Sequence, residues 1–167
     1  YSTLNGEGSL WTSKIIIEGL NSLVQIGDAL DYDKFKKLEI DKIMAEFKFE
    51  AGKMIVNPTD FKYENIDGNI AGFTAYDQSI EYKMDLQIPK EELGSEANKM
   101  IGDLMSGINV LGTNFSVPDI IHVDVIIGGT LSKPIVKTKL SDSFANSIID
   151  KTKDEISATT REEAQKI

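Results

Sequence analysis

The chain has one histidine, His122, in the apolar run Ile121-His122-Val123-Asp124-Val125. Residues i and i+2 of a strand share one side of a sheet. His122 and Asp124 could therefore act as a base and its orienting carboxylate, the minimum of hydrolase chemistry. The same alternation turns His122 away from Val123, Val125 and Ile127, and His-x-Asp is a common spacing, so His122 reads as a surface or half-buried side chain. Four acids, Asp67, Asp77, Glu81 and Asp85, could gather around calcium, but no Asp-x-Asp-x-Asp-Gly loop accompanies them. They read as solvated strand faces. Gly6-x-Gly8 lacks the third glycine of a dinucleotide loop, and Gly128-Gly129-Thr130 lacks a Walker lysine. The latter reads as a hairpin that needs positive φ. Without cysteine there is no disulfide, thiol nucleophile or iron–sulfur site, and one histidine cannot build a multi-histidine metal centre. No catalytic residue, metal ligand or cofactor is assigned, and the chain reads as non-enzymatic.

What must position side chains instead is a set of one-sided strands. Over 167 residues, 18 Lys+Arg stand against 27 Asp+Glu, a net charge of −9. Such a surface repels phosphate backbones and argues against nucleic acid as a partner. Apolar runs are too short for a membrane-spanning helix. The opening at Tyr1, in a stretch that already reads as structured, suggests a piece of a longer protein.

Residues 6–18 end in the β-branched run Ile15-Ile16-Ile17 and read as a strand, with Gly6 and Gly8 marking an edge or bulge. Leu20, Leu23, Val24, Gly27 and Leu30 are spaced for an amphipathic helix over 20–31. Ile43, Ala45, Phe47 and Phe49 alternate with charged residues, as a half-wet strand should. Ala51-Gly52 then turns into a partner strand, which Asn57-Pro58 closes. Residues 59–76 form one long strand or two short ones, with a turn or bulge at 65–68. Asp77-Gln78 is a hairpin turn. Ile80, Tyr82, Met84, Leu86 and Ile88 form the clearest stripe of the chain. A second helix is expected over 90–108, started by Pro89 and the acids Glu91 and Glu92. Strands follow at 115–127 and 133–138. Residues 142–167 read as a polar helical tail, separate from a β-rich domain over 1–141.

Hairpin-type connections between these strands predict an α+β fold: a curved, mainly antiparallel sheet with two amphipathic helices packed on it and a C-terminal helical tail.

The run Val125-Ile126-Ile127-Gly128-Gly129-Thr130-Leu131-Ser132-Lys133-Pro134-Ile135-Val136-Lys137-Thr138 resembles the hydrophobic–Gly-Gly-Thr–x–x–x–Pro–x–Val–Lys segment near the C-terminus of AsmA-like proteins, the Bacteroidota type above all. Gly6-x-Gly8-x-Leu10, Phe73-x-x-Tyr76-Asp77-Gln78-Ser79-Ile80-x-Tyr82 and Ile88-Pro89 before Leu93-Gly94 fit in the same order. The resemblance spans about residues 4–140. It implies a periplasmic domain whose parent is anchored in the inner membrane by an N-terminal helix absent from this sequence. AsmA-like proteins are related to bridge-like lipid-transfer proteins, whose curved sheets form an apolar groove. The implied role is non-enzymatic: phospholipid transport between membranes and outer-membrane assembly, with the remainder of the parent chain as a partner. The family supplies no catalytic residues. A lipid-lining set follows from alternation alone: Ile43, Phe47 and Phe49; Ile80, Tyr82, Met84 and Leu86; Val123, Val125 and Ile127. Leu93, Met100, Ile101 and Leu104 would face it from a capping helix. The alternative is a structural module that pairs with other sheets of the parent and touches no lipid.

Overall fold

The computed structural model describes residues 4–109 and 117–151; several side chains of the helix before residue 110, Met100 and Leu104 among them, fall outside that description. Seven strands, β1 (Gly6–Glu18), β2 (Lys37–Glu50), β3 (Lys53–Tyr63), β4 (Ile66–Ala75), β5 (Ile80–Pro89), β6 (Ile120–Gly129) and β7 (Pro134–Leu140), form one sheet in sequential order. Every neighbouring pair is antiparallel. Helix α1 (Asn21–Leu30) joins β1 to β2, and α2 (Ser95–Asn109) lies between β5 and β6. Residues 142–151 continue from β7 as a helix, α3, which buries Phe144 and Ile148. The fold is thus the expected α+β arrangement around a curved antiparallel sheet.

Alternation sets one dry face. In β5, Ile80, Met84, Leu86 and Ile88 are buried while Glu81 and Gln87 are exposed. Their β6 partners Val125, Val123 and Ile121 are also buried, so the face runs on from strand to strand. In β1 to β3 the alternation changes phase partway along. Leu38 and Ile40 face inward at the start of β2; beyond Lys42, whose φ is 55°, the more sheltered positions become 43, 45, 47 and 49. In β1, Thr12 bonds back to the Lys14 carbonyl at 2.7 Å, and the sheltered positions pass from 8 and 12 to 15 and 17. In β3 the register slips between Val56 and Thr59. Aligned irregularities of this kind bend a sheet across its strands. Asn57-Pro58 therefore does not close β3, as expected, but marks a bulge inside it; proline fits there because the ladder is already interrupted.

The concave face carries two glycines of β4. Phe61 lies over Gly68, its cross-strand partner, and Gly72 sits against Tyr82. The turn between β3 and β4 falls at residues 64–65, with Glu64 at φ 50°.

α1 buries Leu23, Ile26 and Leu30 and packs toward β7, the far edge of the sheet. Gln25 Nε2 donates to the Pro134 carbonyl at 3.0 Å, and the Val136 N–H donates to Gln25 Oε1 at 3.2 Å. One amide side chain thereby occupies two edge groups of β7, shielding them from strand addition.

α2 starts at Ser95, not at residue 90: Lys90–Glu92 is a short 3-10 turn and Leu93 is extended. The cause is Asp31, whose carboxylate accepts the Ser95 N–H at 3.1 Å and its hydroxyl at 2.8 Å. Gly94 lies directly against the Asp31 backbone, where a Cβ would collide.

The Ser95 hydrogen bonds hold the Asp31 carboxyl below its ordinary 3.8, and Ser79 does the same for Asp77. A carboxyl with a lowered folded pKa contributes stability that is complete above the unfolded value and lost as pH falls through the folded one. The urea midpoint should therefore hold near pH 5 and drop near pH 3, with a shallower drop in Asp31→Asn. A wild-type midpoint independent of pH over that range would contradict the capping role. Gly72→Ala has a second expected outcome. Its Cβ would strike the Glu81 carbonyl and sit 2.6 Å from Tyr82 Cα, at φ 155°. Since both obstacles are backbone, the loss should be on the order of 1–3 kcal/mol. Thermal denaturation would read it as a fall of roughly 2–4 °C per kcal/mol.

Candidate functional site

A cavity of about 290 Å³ lies between the first turn of α1 and the concave face. Leu20, Ser22 and Leu23 roof it. Ile17 of β1 and Leu38, Ile40 and Ile43 of β2 make one wall. Phe61, Ile70, Thr74, Ile80, Tyr82 and Met84, from β3 to β5, form the floor. Ile127, Leu131 and Pro134 close the opposite side. Among the described residues no charged side chain lines it. Of the three polar ones, Thr74 and Tyr82 satisfy each other through a 3.0 Å hydroxyl–hydroxyl contact. Leu20 and Leu131 are 43% and 50% exposed, which marks the mouth.

Away from the mouth the concave face is stopped by aromatic side chains. Phe35, fully buried, meets Tyr32 edge-on at 5.4 Å and Tyr63 at 6.3 Å. Their hydroxyls are anchored. Tyr63 donates to the Lys34 and Lys37 carbonyls at 3.2 and 3.3 Å. Tyr32 donates to Glu92 at 3.2 Å and Glu64 at 3.4 Å. Burial pushes the Tyr32 phenol up to about 12 and raises that of Tyr63. Both stay protonated donors at any physiological pH. The space is thus open at the start of α1 and walled off at its end.

An apolar cavity of this size holds water poorly: an engineered hydrocarbon-lined cavity of about 150 Å³ stays dry and takes up benzene. The present volume is about twice that and lies at the lower bound of ligand pockets, about 300 Å³. The chemistry it offers is transfer of hydrocarbon out of water, worth about 0.8 kcal/mol per methylene.

Of the side chains expected to line a groove, Ile43, Ile80, Tyr82, Met84 and Ile127 surround this cavity. Leu86, Val123 and Val125 sit deeper, at 0%, 1% and 0% exposure, as packed core. Phe47 and Phe49 lie beyond the bend, half-buried, with their rings edge-to-face at 5.8 Å. They continue the apolar row past the cavity, because Phe47 pairs with Val56 and Phe49 with Met54. Leu93, in the extended link before α2, and Ile101 of α2, the expected capping helix, belong to the core, at 8% and 5% exposure, while the cavity roof comes from α1. The side chains of Met100 and Leu104 lie outside the described residues. Leu38 and Ile40 escaped the sequence reading because their phase is opposite to that of Ile43. Leu20 and Leu23 were visible as an amphipathic stripe, but only topology places that stripe over the sheet.

His122 does not meet Asp124 in a dyad. Its Nδ1 lies 3.8 Å from Asp85 across the β5–β6 pair, and its ring stacks on Phe144 of α3 at 5.6 Å. Asp124, 4% exposed, is held by Lys83 at 3.2 Å and Lys139 at 4.0 Å, leaving its Oδ1 without a hydrogen bond among the described residues. The remaining acids of the sequence-level cluster are dispersed: Asp67 pairs with Lys62 at 3.1 Å, and Asp77 turns onto Ser79. Among the described residues no three His, Asp or Glu side chains gather as a metal site, and no helix is long and apolar enough to cross a membrane.

No protein-family model matches the chain, and comparison with curated proteins and with solved structures likewise gives no match.

The placement of His122 leads to a direct expectation. His122→Ala removes a half-exposed ring stack, a loss of roughly 1 kcal/mol or less, and leaves uptake of an apolar probe by the cavity unchanged. Parallel urea unfolding and 8-anilinonaphthalene-1-sulfonate titration of the variant check both halves. Abolished uptake in a folded variant would place His122 in the site.

Proposed function

We propose that this chain is a non-enzymatic lipid-handling module that shelters hydrocarbon chains between α1 and its curved sheet. The observation that carries the reading is the cavity itself: open to solvent at Leu20 and Leu131, walled mainly by aliphatic and aromatic side chains, and, among the described residues, free of charge along its lining. A packed core would have closed this space, since interiors leave few voids larger than a water molecule. The resemblance of 125–138 and the other ordered segments to AsmA-like proteins points the same way. On that reading the parent protein is held in the inner membrane, this domain lies in the periplasm, and the cargo is phospholipid moving toward the outer membrane. The chain would contribute a short length of groove or its cap. Phe47 and Phe49 would carry the apolar row toward the next part of the parent.

One observation favours the alternative of an interaction module. β1 is an edge strand of thirteen residues, and Trp11 and Met44, partners on the β1–β2 pair, are 69% and 62% exposed. A long apolar edge of this kind invites another strand or sheet. The two readings differ in what the cavity does.

Ile43→Trp separates them. Ile43 lines the cavity and is half-buried, so a larger ring there fills space without displacing the deep core. For a fluorescent single-chain acyl probe, affinity should fall at least tenfold while the unfolding midpoint stays near wild type. Trp11→Lys, on the other face, should leave probe binding intact. Unchanged affinity in Ile43→Trp, or no wild-type binding at all, would remove the acyl-chain reading and leave the sheet-pairing one.

A further inference from the structure

We propose that the β6–β7 hairpin is a docking surface for an anionic bilayer and sets the mouth of the cavity against the membrane. That an acyl chain then enters the cavity rests on the reading above; the docking itself does not. The chain carries a net charge of −9, yet from Val125 to Ser141 it has three lysines and no acid. Within that run the turn exposes Leu131, at the cavity mouth, and Lys133. Ile135 and Lys137 follow at i and i+2 on one side of β7, both exposed, Ile135 at 58%. Ile126 of β6 is 40% exposed and stands in register between Lys83 and Lys137. Aliphatic side chains at a tip with lysines beside and behind them match a bilayer edge, hydrocarbon below and anionic head groups above. The spacing agrees: the Ile126–Lys137 rung lies three residues behind Gly129–Pro134, about 10 Å at strand rise, close to the depth of about 5–10 Å reached by interfacial segments.

The free charge at this tip is positive. Lys83 and Lys139 are taken up by Asp124 and Asp142, but Lys133 and Lys137 make no ion pair among the described residues. The β4–β5 hairpin adjoins the tip, with the Leu131 N–H donating to the Gln78 carbonyl at 3.0 Å. Its Asp77 is turned onto Ser79, while Glu81 stays exposed and opposes the lysines. Repulsion from the other acids of the chain is screened beyond about 8–10 Å at physiological salt, so the local charge decides. A bilayer fits this edge better than a protein strand does. Gln25 already occupies the Pro134 carbonyl and the Val136 N–H, so the tip offers side chains and not backbone.

Vesicle co-sedimentation tests this, with vesicles of phosphatidylcholine alone and of phosphatidylcholine with about 30% phosphatidylglycerol. The chain should bind the anionic vesicles at least tenfold tighter than the neutral ones. The preference should vanish at about 1 M salt, where screening shortens to about 3 Å. Lys133→Glu with Lys137→Glu should weaken anionic-vesicle binding at least tenfold, and Ile135→Asp about threefold to tenfold. None of these side chains lines the cavity, so both variants should keep wild-type affinity for the fluorescent acyl probe. Trp11→Ser, which removes an exposed ring from the other edge strand, should leave vesicle binding unchanged. Wild-type binding that is absent, equal for the two vesicles, or unaffected by the lysine changes would overturn the docking surface, and the acyl-chain reading would stand wherever the probe still binds. Salt-sensitive vesicle binding that is lost with the lysines supports the docking surface even if the probe fails to bind.

Discussion

Everything in this structure follows from a mismatch between a wide apolar sheet face and the helix laid over it. Seven strands spaced at about 4.8 Å span close to 30 Å, whereas a ten-residue helix such as α1 covers about 15 Å of length. α1 therefore cannot roof the whole concave face. It seals the half where Phe35, Tyr32 and Tyr63 meet it and leaves the half beside Leu20 hollow. The cavity is the part of the apolar face that the described residues do not cover.

Two devices keep that hollow from collapsing. The bend across β1, β2 and β3 curls the sheet, so that Ile17 and Ile40 on one side stand opposite Ile127 and Pro134 on the other. Gln25 then ties α1 to the β7 backbone by two hydrogen bonds, fixing the roof at a set height above the floor. Each such bond is modest, about 1 kcal/mol net, but together they order a helix too short to be stable alone. At the other end Asp31 couples the end of α1 to the start of α2, and Phe144 of α3 braces β6 through His122. Among the described residues, Asp31 takes part in this arrangement and Asp124 is buried, held by Lys83 and Lys139.

Much of this was legible in the sequence. Strand periodicity located β1 and β5, turn residues at 51–52 and 77–78 marked two hairpins, and the α1 stripe was plain. The Gly-Gly-Thr run correctly signalled backbone with positive φ at Gly129, at 83°. What pattern could not carry was phase. Lys42 adopts a left-handed conformation that no residue preference announces, so the inward positions of β2 change parity without a gap in the alternation. Asn57-Pro58 looked like a strand end because proline usually is one, and only pairing to β4 turns it into a bulge. Nor does one-sided apolarity distinguish a filled face from a hollow one: Leu86 and Met84 belong to the same stripe, yet one is packed core and the other borders the cavity.

Lipid handling is the reading that gives the hollow a use. Its most direct test is native mass spectrometry of the purified chain, followed by organic extraction and lipid analysis. The account predicts a co-purified amphiphile at one per chain, lost on denaturation and reloaded from added lipid. A chain that is lipid-free as isolated, and takes up none when lipid is supplied, would contradict it.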